Sequence, residues 1–239
     1  MFRAGWSQHR MTSVQAGLPA GLYAITPEHV GGLESVSESA ADSRLLDQVS
    51  CCLRGGARTV QYRDKRPELS PRLALAKAIR DLCRQHAARF IVNDDLDLAL
   101  DVDADGVHLG KSDLDCASAR ARAGAAFLIG ISCYDSLPHA RQAVRDGASY
   151  VAFGSAFVSS TKPHAVRAPL ALYRQATREL DCPVVAIGGI TPQNAPPLID
   201  AGCHALAVIS GLFDAADPGA AAREFSALFQ AHIGGNRLE

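Results

Sequence analysis

Two aspartates follow two successive apolar runs, and their positions are suited to holding a metal ion. Phe90-Ile91-Val92 leads into Asn93 and Asp94, and the run 106–109 leads into a turn that ends at Asp113. Short apolar runs of this kind are typical of strands buried on both faces. If the strands are parallel neighbours, both aspartates leave the same edge of the sheet. Asp94 and Asp113 could then share Mg²⁺, which proteins usually hold through one or two carboxylates and substrate phosphates.

The same aspartates have a second interpretation. Asp and Asn directly after a strand are frequent helix N-caps, because their side chains accept hydrogen bonds from the first free N–H groups. These residues alone leave both roles open.

Cations and hydroxyl groups follow two other predicted strands. Arg63 and Lys65 come after the run 59–62 and could clamp a pyrophosphate, Arg through its planar fork and Lys as a point charge. The long loop 154–163 carries a second set of groups suited to an anion, namely Ser159, Ser160, Thr161 and Lys162. Ordinary solvated loops are the alternative interpretation for both stretches.

Glycine-rich turns end the last two predicted strands. Gly188-Gly189 follows the run 184–187, and Ser210-Gly211 follows the run 205–209. Glycine lets the backbone approach a ligand closely, and the loops after strands seven and eight are the usual phosphate site of a (β/α)₈ barrel.

Two further reactive residue types are not predicted to do chemistry. His108 lies inside a predicted strand, where a packed and hydrogen-bonded imidazole is the expected role. Cys133 has no base near it in the sequence and is not proposed as a nucleophile.

The chain alternates short apolar runs with helical stretches. Strands are predicted at 22–26, 59–62, 90–92, 106–109, 127–131, 150–153, 184–187 and 205–209. Helices are predicted at about 42–54, 70–87, 136–146 and 169–180, from about 114, up to about 201 and from about 218. Eight such units favour a (β/α)₈ barrel, because the polar residues at the strand ends then converge on one face. An open parallel sheet is the alternative.

Composition narrows the function classes. The chain has 239 residues, of which 48% are hydrophobic, and a net charge of −1. This length suits one barrel domain over 20–235, preceded by a loosely ordered arm over 1–19. Without a surplus of positive charge, nucleic acid and membranes are not expected as partners.

Cysteine usage and apolar run lengths indicate the compartment. The seven cysteines are odd in number and form no CxxC pair, which predicts reduced thiols in a cytoplasmic protein. No signal peptide and no membrane-spanning run of about 18 apolar residues is expected. The sequence is equally compatible with a monomer and with a homo-oligomer.

Together these features predict a pyrophosphate and metal site near strands two to six, and a monophosphate site at strands seven and eight. Two phosphorylated small molecules would meet there. Seven motifs then make a specific resemblance. The runs VQYRDK, IVNDD, GVHLGKSD, GISCY, SSTKP, VVAIGGITPQN and AVISGLF resemble, in order, the motifs of the thiamine-phosphate synthase family, and they cover about 22–217.

The resemblance implies a reaction in which a pyrimidine alcohol diphosphate and a thiazole phosphate give thiamine phosphate and pyrophosphate. It implies a substitution with dissociative character that needs no enzyme nucleophile, with Arg63, Lys65 and Lys162 as catalytic cations and Mg²⁺ held by Asp94 and Asp113. The pyrimidine diphosphate would be bound by Gln61, Arg63, Lys65, Asn93, Ser132 and Lys162. The thiazole phosphate would be bound by Ser159, Ser160, Thr161 and the backbone of Gly189, Ile209 and Ser210.

Some positions depart from the family pattern. Lys111 stands where Gln is common, and Ser155, Val158 and Ser159 replace Pro, Pro and Thr in the loop after strand six. Two alternatives remain at this point. A thiazole tautomerase barrel resembles the synthase but typically lacks the metal carboxylates, and a catalytically silent barrel would only bind thiamine phosphates.

Overall fold

The computed structural model describes residues 17–28, 37–158 and 166–235, and side chains as far as 232. Eight strands form a closed parallel barrel in chain order, with β8 pairing to β1. The strands are β1 Gly21–Ile25, β2 Thr59–Tyr62, β3 Arg89–Asn93, β4 Gly106–Leu109, β5 Leu128–Tyr134, β6 Tyr150–Gly154, β7 Val184–Ile187 and β8 Ala205–Val208. The predicted barrel is therefore confirmed, and the open sheet is excluded.

Helices follow the strands and cover the outside of the barrel. They are α1 Glu38–Arg54, α2 Leu69–Gln85, α3 Leu96–Asp101, α4 Cys116–Ala123, α5 Leu137–Arg145, α6 Leu170–Glu179, α7 Pro196–Asp200, α8 Ser210–Phe213 and α9 Pro218–Gly235. No helix in the described ranges is both long and apolar enough to cross a bilayer.

Strand residues alternate between two buried layers. In β1, Leu22 and Ala24 pack against the helices, whereas Tyr23 and Ile25 belong to the smaller cluster inside the barrel. Successive strand side chains point to opposite faces, so every second residue of each strand fills the interior. This alternation decides which polar residues can reach a central site.

Several element bounds differ from the sequence prediction. α1 begins at Glu38, four residues before the predicted start, because the side chain of Ser37 accepts the N–H of Ala40 as an N-cap. Ser70 was predicted to open the second helix, but α2 begins at Leu69 and has no side-chain cap.

The described structure begins inside the predicted N-terminal arm. Leu18 is buried in the interior cluster, and its carbonyl oxygen lies 2.8 Å from Nε2 of His204. Residues 17–20 therefore close the amino end of the barrel, while 1–16 lie outside the described residues. The predicted loop 27–41 is described only at 27–28 and from 37 onward.

Candidate active site

A cavity of about 470 Å³ opens among the carboxyl ends of the strands. Six of the predicted binding residues line it: Gln61, Arg63, Asn93, Ser132, Ile209 and Ser210. Asn93 in β3 lies two residues after the interior Ile91, and Ser132 in β5 lies four after the interior Leu128, so the strand alternation points both inward. Gln61 in β2 donates to the interior Tyr23. The sequence-predicted convergence of these residues on one face is therefore present.

The loop between β2 and α2 carries two of the predicted cations. The side chain of Arg63 is mostly buried and pairs with Glu28, with 2.6 Å between Nη1 and Oε2. Lys65 is more exposed, and its ammonium contacts the carboxylate of Asp94. Both cations thus lie beside the cavity and already face carboxylates.

The same loop is fixed from behind by a buried ion pair. Asp64 accepts hydrogen bonds from Nε and Nη2 of Arg66, at 2.9 and 2.6 Å, and from the Tyr62 hydroxyl at 2.5 Å. These three charged or polar groups are buried on the outer side of the barrel. Burial opposes ionisation of Asp64, but Arg66 and Tyr62 hold the pKa of the carboxyl below its usual value. Side chains of this loop therefore alternate in role. Arg63 and Lys65 belong to the candidate site, whereas Asp64 and Arg66 stabilise the loop.

The two predicted metal ligands are neighbours, and neither is a helix cap. Asp94 adopts a left-handed conformation with φ of 63°, and its N–H donates to the carbonyl of His108. Asp113 accepts the N–H of Gly110 at 2.7 Å through Oδ2. The helix caps are the following acidic residues, Asp95 for α3 and Asp115 for α4. The capping interpretation therefore fails for Asp94 and Asp113.

The carboxylates of Asp94 and Asp113 interact directly. Burial opposes ionisation of Asp94, but hydrogen bonds with Lys65 and Asp113 hold its pKa below the usual value. Burial raises the pKa of Asp113, the bond from Gly110 opposes this, and the Asp94 carboxylate raises the pKa further. Ionising both of two adjacent carboxyl groups costs free energy unless a cation lies between or beside them.

This acidic pair, Asp94 and Asp113, has the chemistry that Mg²⁺ requires. Both donors are hard oxygens, and Asp94 directly follows the cavity-lining Asn93. Burial and the neighbouring Asp94 carboxylate raise the pKa of Asp113, and a divalent cation would relieve the repulsion between the two carboxylates. No group of three or more His, Cys, Asp or Glu side chains suited to a metal is found in the described residues. Mg²⁺ on this pair would take its remaining ligands from water and phosphate oxygens.

The glycine turn after β7 packs against the chain itself. A Cβ on Gly189 would lie 2.1 Å from the carbonyl oxygen of Val158, and one on Gly188 would lie 2.1 Å from Oγ of Ser155. Both glycines have positive φ, so they are required by this loop contact as well as by the turn. A small second cavity separates this turn from Ile209 and Ser210. The predicted phosphate-binding backbone is therefore assembled around one recess.

Four predicted residues fall outside the described part of the chain. They are Ser159, Ser160, Thr161 and Lys162. The described chain stops at Val158, which touches the Gly189 turn, and resumes at Val166, whose carbonyl accepts the N–H of Ser155.

His108 and Cys133 are both buried. Burial lowers the pKa of His108 to about 4, although the carboxylate of Asp94 opposes this. Its ring contacts Tyr150 and Ser132 and forms part of the cavity floor, so the predicted packed and hydrogen-bonded role is confirmed. Burial raises the pKa of the Cys133 thiol to about 12, which is consistent with no nucleophilic role.

Sequence reasoning did not single out four residues that line the cavity: Tyr23, Glu28, Tyr134 and Tyr150. Tyr23 and Tyr150 lie in runs that are apolar on both faces, where no pattern tells inward from outward residues. Tyr134 ends β5 after a register shift against β6 and has φ of 55°. Its ring lines the cavity, and its hydroxyl accepts from the N–H of Lys111 at 3.4 Å.

The chain is similar to known thiamine-phosphate synthases. Residues 22–212 match the family model described as thiamine monophosphate synthase. The thiamine-phosphate synthase of Chromobacterium violaceum is 51% identical over 211 residues, covering 88% of this chain and 97% of that protein. The thiamine-phosphate synthase of an Azoarcus species is 52% identical over 203 residues, covering 84% and 98%.

Solved structures are also similar to this chain. Thiamine phosphate pyrophosphorylase from Pyrococcus furiosus superposes with a TM-score of 0.77 at 33% identity, covering 90% of this chain and 98% of that one. A 3-hexulose-6-phosphate synthase superposes with a TM-score of 0.63 at 17% identity, covering 87% and 99%, and so shares the barrel fold alone. With a family match over most of its length and relatives near half identical, this chain belongs to the thiamine monophosphate synthase family.

Proposed function

We propose that this barrel joins a pyrimidine alcohol diphosphate to a thiazole phosphate, releasing pyrophosphate and forming thiamine phosphate. The carrying observation is that Lys65 contacts Asp94, which interacts with Asp113, while Arg63 and Asn93, close to them in the sequence, line the cavity. Cations beside carboxylates suit a diphosphate that arrives with Mg²⁺, and the family assignment makes the same prediction.

The reaction is a substitution at the pyrimidine methylene carbon. The bond from this carbon to the diphosphate oxygen breaks, and its electron pair leaves with pyrophosphate. The lone pair of the thiazole nitrogen then forms the new carbon–nitrogen bond. No proton has to move, so neither a general base nor a nucleophile of the protein is needed, in agreement with the inert, buried Cys133.

The residues supply charge and position. Arg63 and Lys65 stabilise the negative charge that grows on the leaving diphosphate, and Lys162 would add a third cation. Bound Mg²⁺ supplies further charge stabilisation on the diphosphate oxygens. Asp94 and Asp113 are the residues that would hold it. Asn93, Ser132 and Gln61 face the cavity beneath them and would orient the pyrimidine diphosphate.

The second substrate would bind at the opposite side of the cavity. The backbone of Gly189, Ile209 and Ser210 borders a recess after β7 and β8, the position that barrels commonly use for a phosphate. Ser159, Ser160 and Thr161 would complete this thiazole phosphate site. A small apolar floor between the two sites, with Ile187 and Ala207, would accommodate the rings.

Complementation of a thiamine auxotroph tests this function in cells. In a bacterial strain that lacks its own thiamine-phosphate synthase, we expect the wild-type chain to restore growth without thiamine. The Asp94→Ala variant, expressed to the same level, is expected not to restore it. If the wild-type chain is expressed and folded but gives no growth, a barrel that only binds thiamine phosphates becomes the better account.

A further inference from the structure

A chain of polar side chains crosses the floor of the cavity inside the barrel. Nε2 of Gln61 donates to the Tyr23 hydroxyl at 2.8 Å, and that hydroxyl lies 2.8 Å from the hydroxyl of Tyr150. Nδ1 of His108 lies 3.1 Å from the Tyr150 hydroxyl, and Nε2 of the same ring lies 2.9 Å from Oγ of Ser132. The chain thus joins two predicted binding residues, Gln61 and Ser132.

The packing inside the barrel accommodates this hydrogen-bonded chain of side chains. Tyr150 fits only because Gly130 faces it, since a Cβ on Gly130 would lie 2.0 Å from the phenol ring. The rings of Tyr150 and His108 stack with 5.6 Å between their centroids. Tyr23, Tyr150 and His108 are all buried, where unpaired polar groups are costly. Phenylalanine could fill the two tyrosine positions without needing partners, so barrel packing alone does not explain the hydroxyl groups.

The donors can be ordered along the chain. Gln61 donates to the Tyr23 hydroxyl, and the distances allow either tyrosine hydroxyl to donate to the other. The order that gives the buried Tyr23 hydrogen a partner runs from Tyr23 to Tyr150 and from Tyr150 to Nδ1 of His108. Nδ1 accepts and therefore carries no hydrogen. The neutral ring must then carry its hydrogen on Nε2, which donates to Oγ of Ser132. The hydroxyl hydrogen of Ser132 remains available for a group in the cavity.

The opposite order would suit the predicted substrate poorly. Ser132 would then donate to His108, and its lone pairs would face the cavity. A diphosphate carries only acceptor oxygens, so it would meet an acceptor rather than a donor.

We propose that Tyr23, Tyr150 and His108 are positioning residues that hold Ser132 as a hydrogen-bond donor toward the pyrimidine diphosphate. This inference rests on the proposed function, because it concerns how that substrate is bound. His108 therefore combines the packed role expected from its burial with control over a binding hydroxyl. The three residues touch no substrate atom in this account and act through Ser132.

The tautomer of His108 is a direct readout that does not depend on activity. In the free, folded protein labelled with ¹⁵N at histidine, we expect the His108 ring to show a protonated Nε2 and an unprotonated Nδ1 at neutral pH. The protein has eight histidines, so the signals that disappear in the His108→Gln variant are assigned to His108. A hydrogen found on Nδ1 of the wild-type ring would overturn the proposed order.

Kinetics of Tyr150→Phe test whether the order matters for binding. Phenylalanine keeps the ring but removes the hydrogen that Nδ1 accepts. We expect kcat/KM for the pyrimidine diphosphate to fall roughly tenfold, the effect of about one hydrogen bond, with the KM for the thiazole phosphate nearly unchanged. Tyr173→Phe is the matched control, since Tyr173 is equally buried but bonds to the Phe153 carbonyl outside the barrel interior.

A double-mutant cycle separates action through Ser132 from loss of packing. In a Ser132→Ala background, Tyr150→Phe is expected to have little further effect on kcat/KM, because the hydroxyl it orients is already gone. Fully additive losses, or an equal loss from Tyr173→Phe, would overturn the positioning role. If the wild-type protein were folded but inactive with both substrates, the proposed function would fail, while the ¹⁵N spectrum would still decide the order of the chain.

Discussion

The acidic pair shows most directly how single residues prepare this site. Asp94 and Asp113 interact beside the cavity-lining Asn93, and the pKa of the Asp94 carboxyl is lowered while that of Asp113 is raised. A cation bound there would favour ionisation of both. The pair is thus suited to binding a cation. Among the described side chains, Lys65 is the cation that contacts it.

Removing one carboxylate should remove the metal dependence of the reaction. For Asp113→Asn we expect turnover at saturating Mg²⁺ to fall at least about 100-fold, since metal stabilisation of developing charge is worth several kcal/mol. Asp101→Asn, at the exposed end of α3, is the control and should retain wild-type rates. Steady-state rates across a Mg²⁺ titration measure the effect, and a wild-type titration curve for Asp113→Asn would contradict the metal assignment.

Glu28 pairs with the guanidinium that the proposed diphosphate would use. Because the two side chains pair at 2.6 Å, a diphosphate must displace Glu28 before it can use this guanidinium. Glu28→Gln should therefore tighten binding of inorganic pyrophosphate by up to about fivefold, the range of a partly exposed ion pair. Titration calorimetry measures this, with Glu38→Gln in the first turn of α1 as the control. Weaker binding by Glu28→Gln would show that Glu28 assists the site instead.

At the scale of elements, the loop between β2 and α2 depends on the charges behind it. The side chains of Asp64 and Arg66 are only 1% and 6% exposed, and Arg66 also lies 3.3 Å from Asp42. Loss of Asp64 would therefore leave Arg66 buried beside the more distant carboxylate of Asp42. This pair holds the backbone from which Arg63 and Lys65 reach the cavity.

Breaking that pair should cost stability and activity together. Asp64→Asn is expected to lower the free energy of unfolding by about 3 kcal/mol, the low end for breaking a buried ion pair, because Arg66 stays buried and keeps the more distant counter-charge of Asp42. Asp81→Asn, which breaks the more exposed pair with Arg80, should cost less than about 1 kcal/mol. Urea denaturation followed by circular dichroism compares the two variants. Equal losses would mean that the Asp64 pair does not support the loop.

Sequence patterns predicted the elements better than their ends. All eight strands were found because short apolar runs alternate with helical stretches, and the fold class followed from their number. α3 and α8 were not among the predicted helices, because Leu96–Asp101 and Ser210–Phe213 are too short to show an amphipathic period. The start of α2 was misplaced since Ser70-Pro71 has the appearance of a cap, although the helix begins one residue earlier without one.

The site was predictable where residue type decides the chemistry. Four predicted site residues lie at a strand end or just after one, so the barrel brings them to the same face: Arg63, Asn93, Asp94 and Asp113. The contribution of Tyr23 and Tyr150 was not predictable, because both faces of a barrel strand are buried and only the pairing register shows which residues face inward. The contact between Gly189 and Val158 joins two loops distant in sequence and has no local signal.

At the scale of the whole molecule, a neutral histidine in the core should make stability sensitive to acid. The pKa of His108 is lowered to about 4, below its usual value near 6.5, by burial beside Tyr150 and Ser132, with Asp94 opposing. As the pH falls below 6.5, the unfolded chain binds a proton at His108 that the folded protein does not bind. The free energy of unfolding therefore decreases. The folded protein takes up this proton only near pH 4.

This titration predicts a measurable slope. Between pH 7 and pH 4, the metal-free protein should lose on the order of 3 kcal/mol of unfolding free energy through His108 alone. The His108→Asn variant should be less stable at pH 7 but should lose less on acidification. Urea denaturation across this pH range measures both slopes, and identical slopes would contradict a neutral, buried His108.

The most direct test of the proposed function is product formation by the purified protein. The measurement follows pyrophosphate release with both phosphorylated substrates, with and without Mg²⁺, and identifies the second product by mass. We expect release that requires Mg²⁺ and the thiazole phosphate, with one thiamine phosphate formed for each pyrophosphate. Folded protein that binds thiamine phosphate but releases no pyrophosphate would contradict the account.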